Sequence, residues 1–545
     1  MLIVSLSYKQ IIDAFPRSTG GAYIVSREYL GVNAGLVAGA ALLFDYVLTV
    51  AVSVSAGVAA FTSAYHPAAQ YRVELCLLII TVLIILNLRG ITESANVFSF
   101  PTYAFIISMF LLVGLGVYKL LFAGLTNPVP NITAQSTDLS ALAFTWLILR
   151  SFSSGCTALS GVEAVSDAVP NFKKPENKNA KAVLTMLVTL SFIMFGGLTF
   201  LTFVLHVQPV HEMTVISQVA HLVFGQGILF YLFQTSTFLI LALAANTAFA
   251  GFPLLASLIA KDGFLPRYLA LRGDRLVFSN GIVLLGLLAA LLLMIFEGIT
   301  TRIIPLYAVG VFTSFTLAQS GMVIRWLSRR TGQWRRKLAI NGIGALITGA
   351  VTIIIAVTKF THGAWFILVL IPAMVYVFHT VHQHYLDVKA QLDFDNYHHR
   401  EALKHKIIIP AASLTNVVAN TIDYAKLLSD DVKVVHISTD KEFTEKFVKK
   451  YETWNPGIEL VILDSPYRSV MDPLVEYIVE KDKTKAEGEV VTVLIPEFVT
   501  IKWWHRFLHN QTGLLLQNML VFQTDVVVTT VPFHLRNGKG QKVKS

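Results

Sequence analysis

The sequence predicts an α-helical membrane bundle over residues 1–383, a charged linker over 384–404, and an α/β domain with a parallel sheet over 405–545. Three observations predict it. Hydrophobic residues make up 54% of the 545 and charged residues 14%, at a mean hydropathy of +0.62, whereas a soluble protein carries about a quarter charged residues. The apolar excess lies within residues 1–381, in long runs with short polar breaks, and the tail from about 385 has ordinary soluble composition. Finally, the breaks alternate in charge. Segments 8–33, 88–97, 169–182, 261–275 and 325–338 hold 18 Lys and Arg, and the intervening 62–74, 124–138, 206–228, 297–303 and 358–363 hold 3. That alternation places the first set, and the tail, on the cytoplasmic side. The net charge of +9 is then topology charge beside lipid headgroups, not a nucleic-acid footprint.

A helix crosses the hydrocarbon core in about 20 apolar residues. Ten spans are expected, centred on 34–61, 75–88, 101–123, 139–168, 183–205, 229–258, 278–296, 303–324, 339–358 and 363–380. The second is short and needs its flanks. Before them, "MLIVSLSYKQIIDAFPRSTGG" opens on an apolar run too short to span. It lacks the basic n-region and small-residue cleavage site of a signal peptide, so the chain is expected to begin inside a helix whose start is lost. Cys76 and Cys156 lie in apolar segments and read as packing residues.

The tail alternates β-branched runs with helical patterns. "KIIIPAA", "VKVVHIST", "IELVILDS", "VVTVLIPEF" and "DVVVTTVPF" are strands whose near-continuous apolarity suits a parallel sheet covered on both faces. His398, His399 and His405 fall near the linker without a second cluster to complete a metal site. No G-x-x-G run follows the first strand, so ATP binding is not expected.

Two stretches carry chemistry at membrane depth. "SFSSGCTALSGVEAVSDAVP", residues 151–170, is small, hydroxylated and acidic. Backbone in lipid must be satisfied internally, so a helix breaks there only against protein or a cavity. Ser and Gly lower helix propensity, and Glu163 is an intramembrane carboxylate, which usually marks an ion or proton path. In "ALLFDYVLTVAVSVSAG", Asp45, Thr49 and Ser53 fall at i, i+4 and i+8 and share one helix face, with Tyr46 beside them. Entering near Ala34, Asp45 lies about 16 Å deep at 1.5 Å per residue. Such oxygens suit a hard cation or a carried proton. Tyr307 is a further candidate. Asn246 and Thr247 form a polar interruption that an interhelical hydrogen bond would equally explain, and Arg150 has no evident role.

Taken in order, "STGGAYIVSREYLG", "FDYVLTVAVSVSAG", "NLRGITESA", "SFSSGCTALSGVEAVSDAVPNFK", "LRGDRLVFSNGI", "IPLYAVGVFTSFTLAQSGM", "SPYRS" and "WWHRFLHNQ" resemble the bacterial potassium–proton symporters of the KimA type. These are a branch of the amino acid–polyamine–organocation (APC) superfamily. The resemblance runs nearly end to end; its "SGVEA" piece alone is shared with many amino acid permeases. It implies a LeuT-like transporter of two inverted five-helix repeats plus two helices, unwound in the first and sixth, with residues 151–170 in the sixth. It implies potassium bound by Asp45, Tyr46, Thr49, Ser53, Ser160, Glu163 and Tyr307, with Asp45 and Glu163 as proton-coupling candidates. Ser160 stands where the family pattern has threonine.

The same resemblance implies a bacterial plasma-membrane carrier of K+ and H+ that is no enzyme and needs no other cofactor. Its cytoplasmic tail is similar to universal stress proteins, supports a homodimer and binds inhibitory cyclic di-AMP, with Arg468 and His505 as candidate phosphate contacts. The family's first helix and most of its second have no counterpart here. The first supplies half of the unwound site, including an acidic residue and a tyrosine, so an incomplete cavity is expected. Two other functions remain open on these residues: an amino acid permease of the same fold, and a nucleotide-sensing receptor or inactive fragment that does not transport.

Overall fold

The computed structural model describes residues 1–15, 21–90, 95–125, 140–156, 161–167, 169, 172–210, 213–273, 277–393, 404–465, 470–486, 488–499 and 512–535. They form two compact units, Met1–Leu392 and Asp393–Ser545.

The first unit is helical: α1 (Leu2–Ala14), α2 (Gly21–Leu30), α3 (Val32–Ala64), α4 (Arg72–Leu88), α5 (Ala95–Phe122), α6 (Ala141–Gly155), α7 (Gly161–Asp167), α8 (Glu176–Val204), α9 (Val215–Phe224), α10 (Ile228–Lys261), α11 (Ser279–Ile295), α12 (Thr300–Arg329), α13 (Trp334–Thr358) and α14 (Ala364–Gln391). Among the described residues, eight of these are long and apolar enough to cross a membrane. They account for eight of the ten expected spans, the second having gained a leading 3-10 turn from His66. The run 278–296 gives α11, an apolar helix of 17 residues. Within the run 139–168, the described residues form α6 (Ala141–Gly155) and α7 (Gly161–Asp167).

Small residues decide what lies at the centre. The most apolar stretches of α3 and α12 are 78% and 72% buried inside the protein, against 11–33% in the other six long helices. Along α3, Gly35, Ala38, Gly39, Ala40, Ala41 and Ala51 let neighbours approach closely. A Cβ on Gly39 would lie 3.0 Å from both Ile259 and Tyr23, and one on Gly310 of α12 would lie 3.1 Å from the Ala41 carbonyl. The outer helices instead turn large apolar side chains outward, Phe192, Phe203 and Phe122 each being about three-quarters exposed. Apolar surface on that scale belongs against lipid.

Three short helices were not legible as spans. The N-terminal run forms α1, which packs against α13 and α8. Its Gln10 Oε1 accepts from Trp326 Nε1 at 3.0 Å and Asn341 Nδ2 at 2.8 Å, and its Ser7 hydroxyl donates to Asn341 Oδ1. Helices α2 and α9 lie within segments read as loops. Thr214 caps α9, its hydroxyl accepting from the Ser217 N–H.

The second unit holds β1 (Lys404–Pro410), α15 (Asn416–Leu428), β2 (Asp431–Ser438), α16 (Lys441–Trp454), β3 (Glu459–Asp464), α17 (Met471–Lys483), β4 (Glu489–Val499), α18 (Thr512–Gln523) and β5 (Val527–His534). All five expected strands form, and every pairing is parallel in the order β3-β2-β1-β4-β5. The segment read as linker is shorter than expected at both ends, since α14 runs to Gln391 and β1 starts at Lys404. His405 belongs to β1, with Nε2 2.7 Å from Thr492 Oγ1.

Both faces of the sheet are covered, as its apolar strands require. Ile407 and Ile409 pack with Val418 and Ile422 of α15 and Phe447 and Tyr451 of α16. Ile408, pointing the other way, packs with Leu474 and Ile478 of α17 and Leu516 and Leu520 of α18. At the start of β1 and β4, Lys406 Nζ lies 2.6 Å from Glu489 Oε2, which also accepts from the Ala486 N–H at 3.0 Å. The lysine first and the N–H second hold the Glu489 carboxyl below its usual range. A carboxyl lowered on folding adds stability above its unfolded pKa, about 4.3, and loses it as pH falls through the folded value. Hydrogen exchange in β1 and β4, followed from about pH 5 to about pH 3, should therefore lose protection more steeply in the native chain than in Glu489→Gln. Parallel losses would sink this assignment.

Candidate functional site

The stripe read on α3 faces a cavity. Asp45, Tyr46, Thr49, Val52 and Ser53 line it together with Gly161, Glu163 and Ala164 of α7, Ala244 and Thr247 of α10, and Ile304 and Tyr307 of α12. Its volume is about 330 Å³. Six of the seven residues expected at the ion site thus meet in one place; Ser160 lies outside the described residues, as do Arg468 and His505. The 3.6-residue period explains the convergence, because i, i+4 and i+8 keep one heading along α3.

Both carboxylates are buried, Asp45 being 7% exposed and Glu163 3%. Glu163 stands in the first turn of α7, and its Oε2 lies 3.0 Å from the hydroxyl of Ser314 on α12. Ser166 Oγ donates to the Glu163 carbonyl at 2.9 Å. Thr49 Oγ1 donates to the Tyr307 hydroxyl at 3.3 Å, tying α3 to α12 across the cavity. Polar lining of this kind is oxygen throughout: carboxylates, phenols and hydroxyls. It suits a hard cation and disfavours soft metals. Among the described residues no group of three or more His, Cys, Asp and Glu is placed to hold a metal ion, and Cys76 and Cys156 are buried free thiols.

The polar interruption on α10 splits in two. Asn246 Oδ1 accepts from Asn87 Nδ2 at 2.7 Å, which is the interhelical hydrogen bond. Thr247 lines the cavity. Arg150 is exposed.

A second, larger cavity of about 630 Å³ lies farther along the same three helices, lined by Ala56 and Ala59 of α3, Thr237 and Leu241 of α10, and Thr300 and Thr301 of α12. Thr300, which lines this second cavity, donates its hydroxyl to Ser55 Oγ of α3 at 2.9 Å. At the opposite end of α10, Asp262 accepts from the Tyr23 hydroxyl at 2.6 Å and pairs with Arg27 of α2.

Comparison with known proteins decides the family. Residues 1–378 match the amino acid permease family, and residues 403–533 match the family described as the KimA potassium transporter C-terminal domain. The protein named potassium transporter KimA from Bacillus subtilis (strain 168) is 43% identical over 537 residues, 98% of this chain and 88% of the relative. The chain belongs to the KimA family. It is a multi-pass helical bundle of permease type with a KimA α/β domain, and its relative is a transporter, not an enzyme.

Two residues of this KimA-family site escaped the reading of polar stripes. Ser314 lies seven positions past Tyr307, two helical turns along one face, and that spacing was the available signal. Gly251 carries no polar group, yet a Cβ there would fall 2.5 Å from Tyr46 Cε1 and 2.7 Å from its hydroxyl. The Tyr46 ring occupies the space that Gly251 leaves open. Gly251→Ala should therefore lower the thermal stability of the purified chain by roughly 1–3 kcal/mol through overpacking. In that background Tyr46→Ala should cost less than it does alone. Additive losses in the two melts would show that the ring and the glycine are not in contact.

Proposed function

We propose that the chain imports potassium across the bacterial plasma membrane together with protons, by alternating access. The observation that carries this reading is the pair of buried carboxylates, Asp45 and Glu163, in one oxygen-lined cavity. Two ionised carboxylates in a low-dielectric site are costly unless compensated. One monovalent cation and one proton compensate both charges. In this reading potassium sits among Asp45, Tyr46, Thr49, Ser53, Ser160, Glu163 and Tyr307, and Glu163 or Asp45 carries the proton.

Rocking of one helix group against the other would expose the site first toward the 630 Å³ cavity and then toward the end closed by Tyr23, Arg27 and Asp262. An inverted-repeat arrangement of LeuT type is the architecture this reading assumes, with Glu163 of α7 at its cavity. The alternation of basic loops puts the α/β domain in the cytoplasm. That domain, similar to universal stress proteins in its alternating strands and helices, would pair two copies and bind cyclic di-AMP as an inhibitor.

A second reading is an amino acid permease, which the match over residues 1–378 favours. Potassium uptake in bacteria stripped of their own importers separates the two. Uptake is expected with this chain, lost in Asp45→Asn at equal membrane content, and indifferent to a panel of competing amino acids. Retained uptake in the variant would take Asp45 out of the mechanism, and competition by an amino acid would favour the permease. Binding of cyclic di-AMP to the full chain without any flux would point to a receptor.

A further inference from the structure

The segments that the alternation of charge puts outside hold three basic residues, Arg72, Arg302 and Lys359, in loops where that bias disfavours them. Two of the three line one space. Arg72 opens α4, Arg302 stands in the first turn of α12, and both border the 630 Å³ cavity at the outer end of α3, α10 and α12. No Asp or Glu is among its described lining residues. The two arginines differ in effect. Arg302 Nη1 lies 2.7 Å from Glu297 Oε2 with both side chains more than half exposed, so that pair presents little net charge. Arg72 makes no ion pair among the described residues, and its Nε is buried without a hydrogen-bond partner. Its stem is seated on Gly298, at φ +62°, where a Cβ would fall 3.2 Å from Arg72 Cγ and 3.5 Å from Cδ. The guanidinium stays charged at any working pH, so one uncompensated positive charge is fixed at the cavity wall.

A positive wall on a cation path needs a reason, and the site beyond it supplies one. Asp45 and Glu163 bring two carboxylates to a single cavity. One divalent cation would neutralise both by itself, and carboxylates and hydroxyls serve divalent ions as readily as monovalent ones. The oxygen site alone therefore does not reject the wrong valence.

We propose that Arg72 is a specificity-determining residue that keeps divalent cations out of the outer cavity. It acts through its field and ligates no ion. A fixed potential weights the local concentration of an ion by a Boltzmann factor in the ion's charge. Whatever factor Arg72 imposes on potassium is therefore imposed squared on a divalent ion. A threefold loss of potassium comes with about a ninefold loss of the divalent, and valence is selected without any size filter. The inference rests on potassium import through this end of the bundle, as proposed above.

The test sets external barium, close to potassium in size but doubly charged, against potassium uptake by the full chain in importer-deficient bacteria, in medium free of sulfate and phosphate. In Arg72→Gln the barium concentration that halves uptake should fall about tenfold and the KM for potassium about threefold. Arg72→Lys should keep barium tolerance near the native level. Thr301→Lys, added to Arg72→Gln, returns a charge to the same cavity from α12 and should restore tolerance, which a lost packing contact at Arg72 would not regain. Unchanged barium tolerance in Arg72→Gln at equal membrane content overturns the proposal. So do equal shifts for barium and potassium, or tolerance that neither lysine variant recovers. Should Arg72→Gln fail to reach the membrane, Thr301→Glu in the native background sets the opposite charge on that wall and should sensitise uptake to barium about tenfold; no sensitisation overturns the proposal equally. Uptake without barium scores the premise separately. A native chain that moves no potassium removes the import reading and this inference with it. A native chain that imports potassium yet yields to barium as readily as Arg72→Gln leaves import standing and removes the role of Arg72.

Discussion

Two carboxylates buried at one cavity of a membrane bundle set the terms for everything around them. Hydrocarbon offers no water to share the charge, so the surrounding helices must supply hydroxyls and leave room for something positive. The bundle meets that demand with its most enclosed helix. α3 carries Asp45 on one face and a dense set of Gly, Ala and Ser on the others, which brings α10 and α12 close enough to complete the wall. Tight packing and a polar cavity are two sides of one sequence choice here, since the same absence of bulk produces both.

The α/β domain follows a different logic, that of a water-soluble sheet. Its strands bury successive residues on opposite faces, Ile407 and Ile409 one way and Ile408 the other, so a run of three isoleucines needs helices above and below. Charge pairs at the sheet's end, where Lys406 meets Glu489 and Lys433 meets Glu459.

How much of this was legible in the sequence depends on the distance over which each feature is encoded. Asp45, Thr49 and Ser53 share a face because of a local period, and that was readable. The five strands were readable for the same reason. Ser314 and Gly251 were not, because their significance lies in partners 151 and some 200 residues away, on other helices. Helix α1 shows the same limit: nothing in its own run announces the partners it finds on α12 and α13. Hydropathy fixes which segments enter the bilayer, but not which polar side chains meet there.

That last contact bears on how the protein is made. Ser7 and Gln10 are buried in α1 and satisfied by Asn341 and Trp326, which lie 316 to 334 residues farther along the chain. At a synthesis rate of about 5–20 residues per second, those partners emerge on the order of tens of seconds after α1. Over that interval α1 must wait with its polar groups turned to headgroups, water or a chaperoning surface. Its seat in the bundle is therefore filled late in biogenesis, and final closure of the helical unit depends on a segment translated more than 300 residues before its partners.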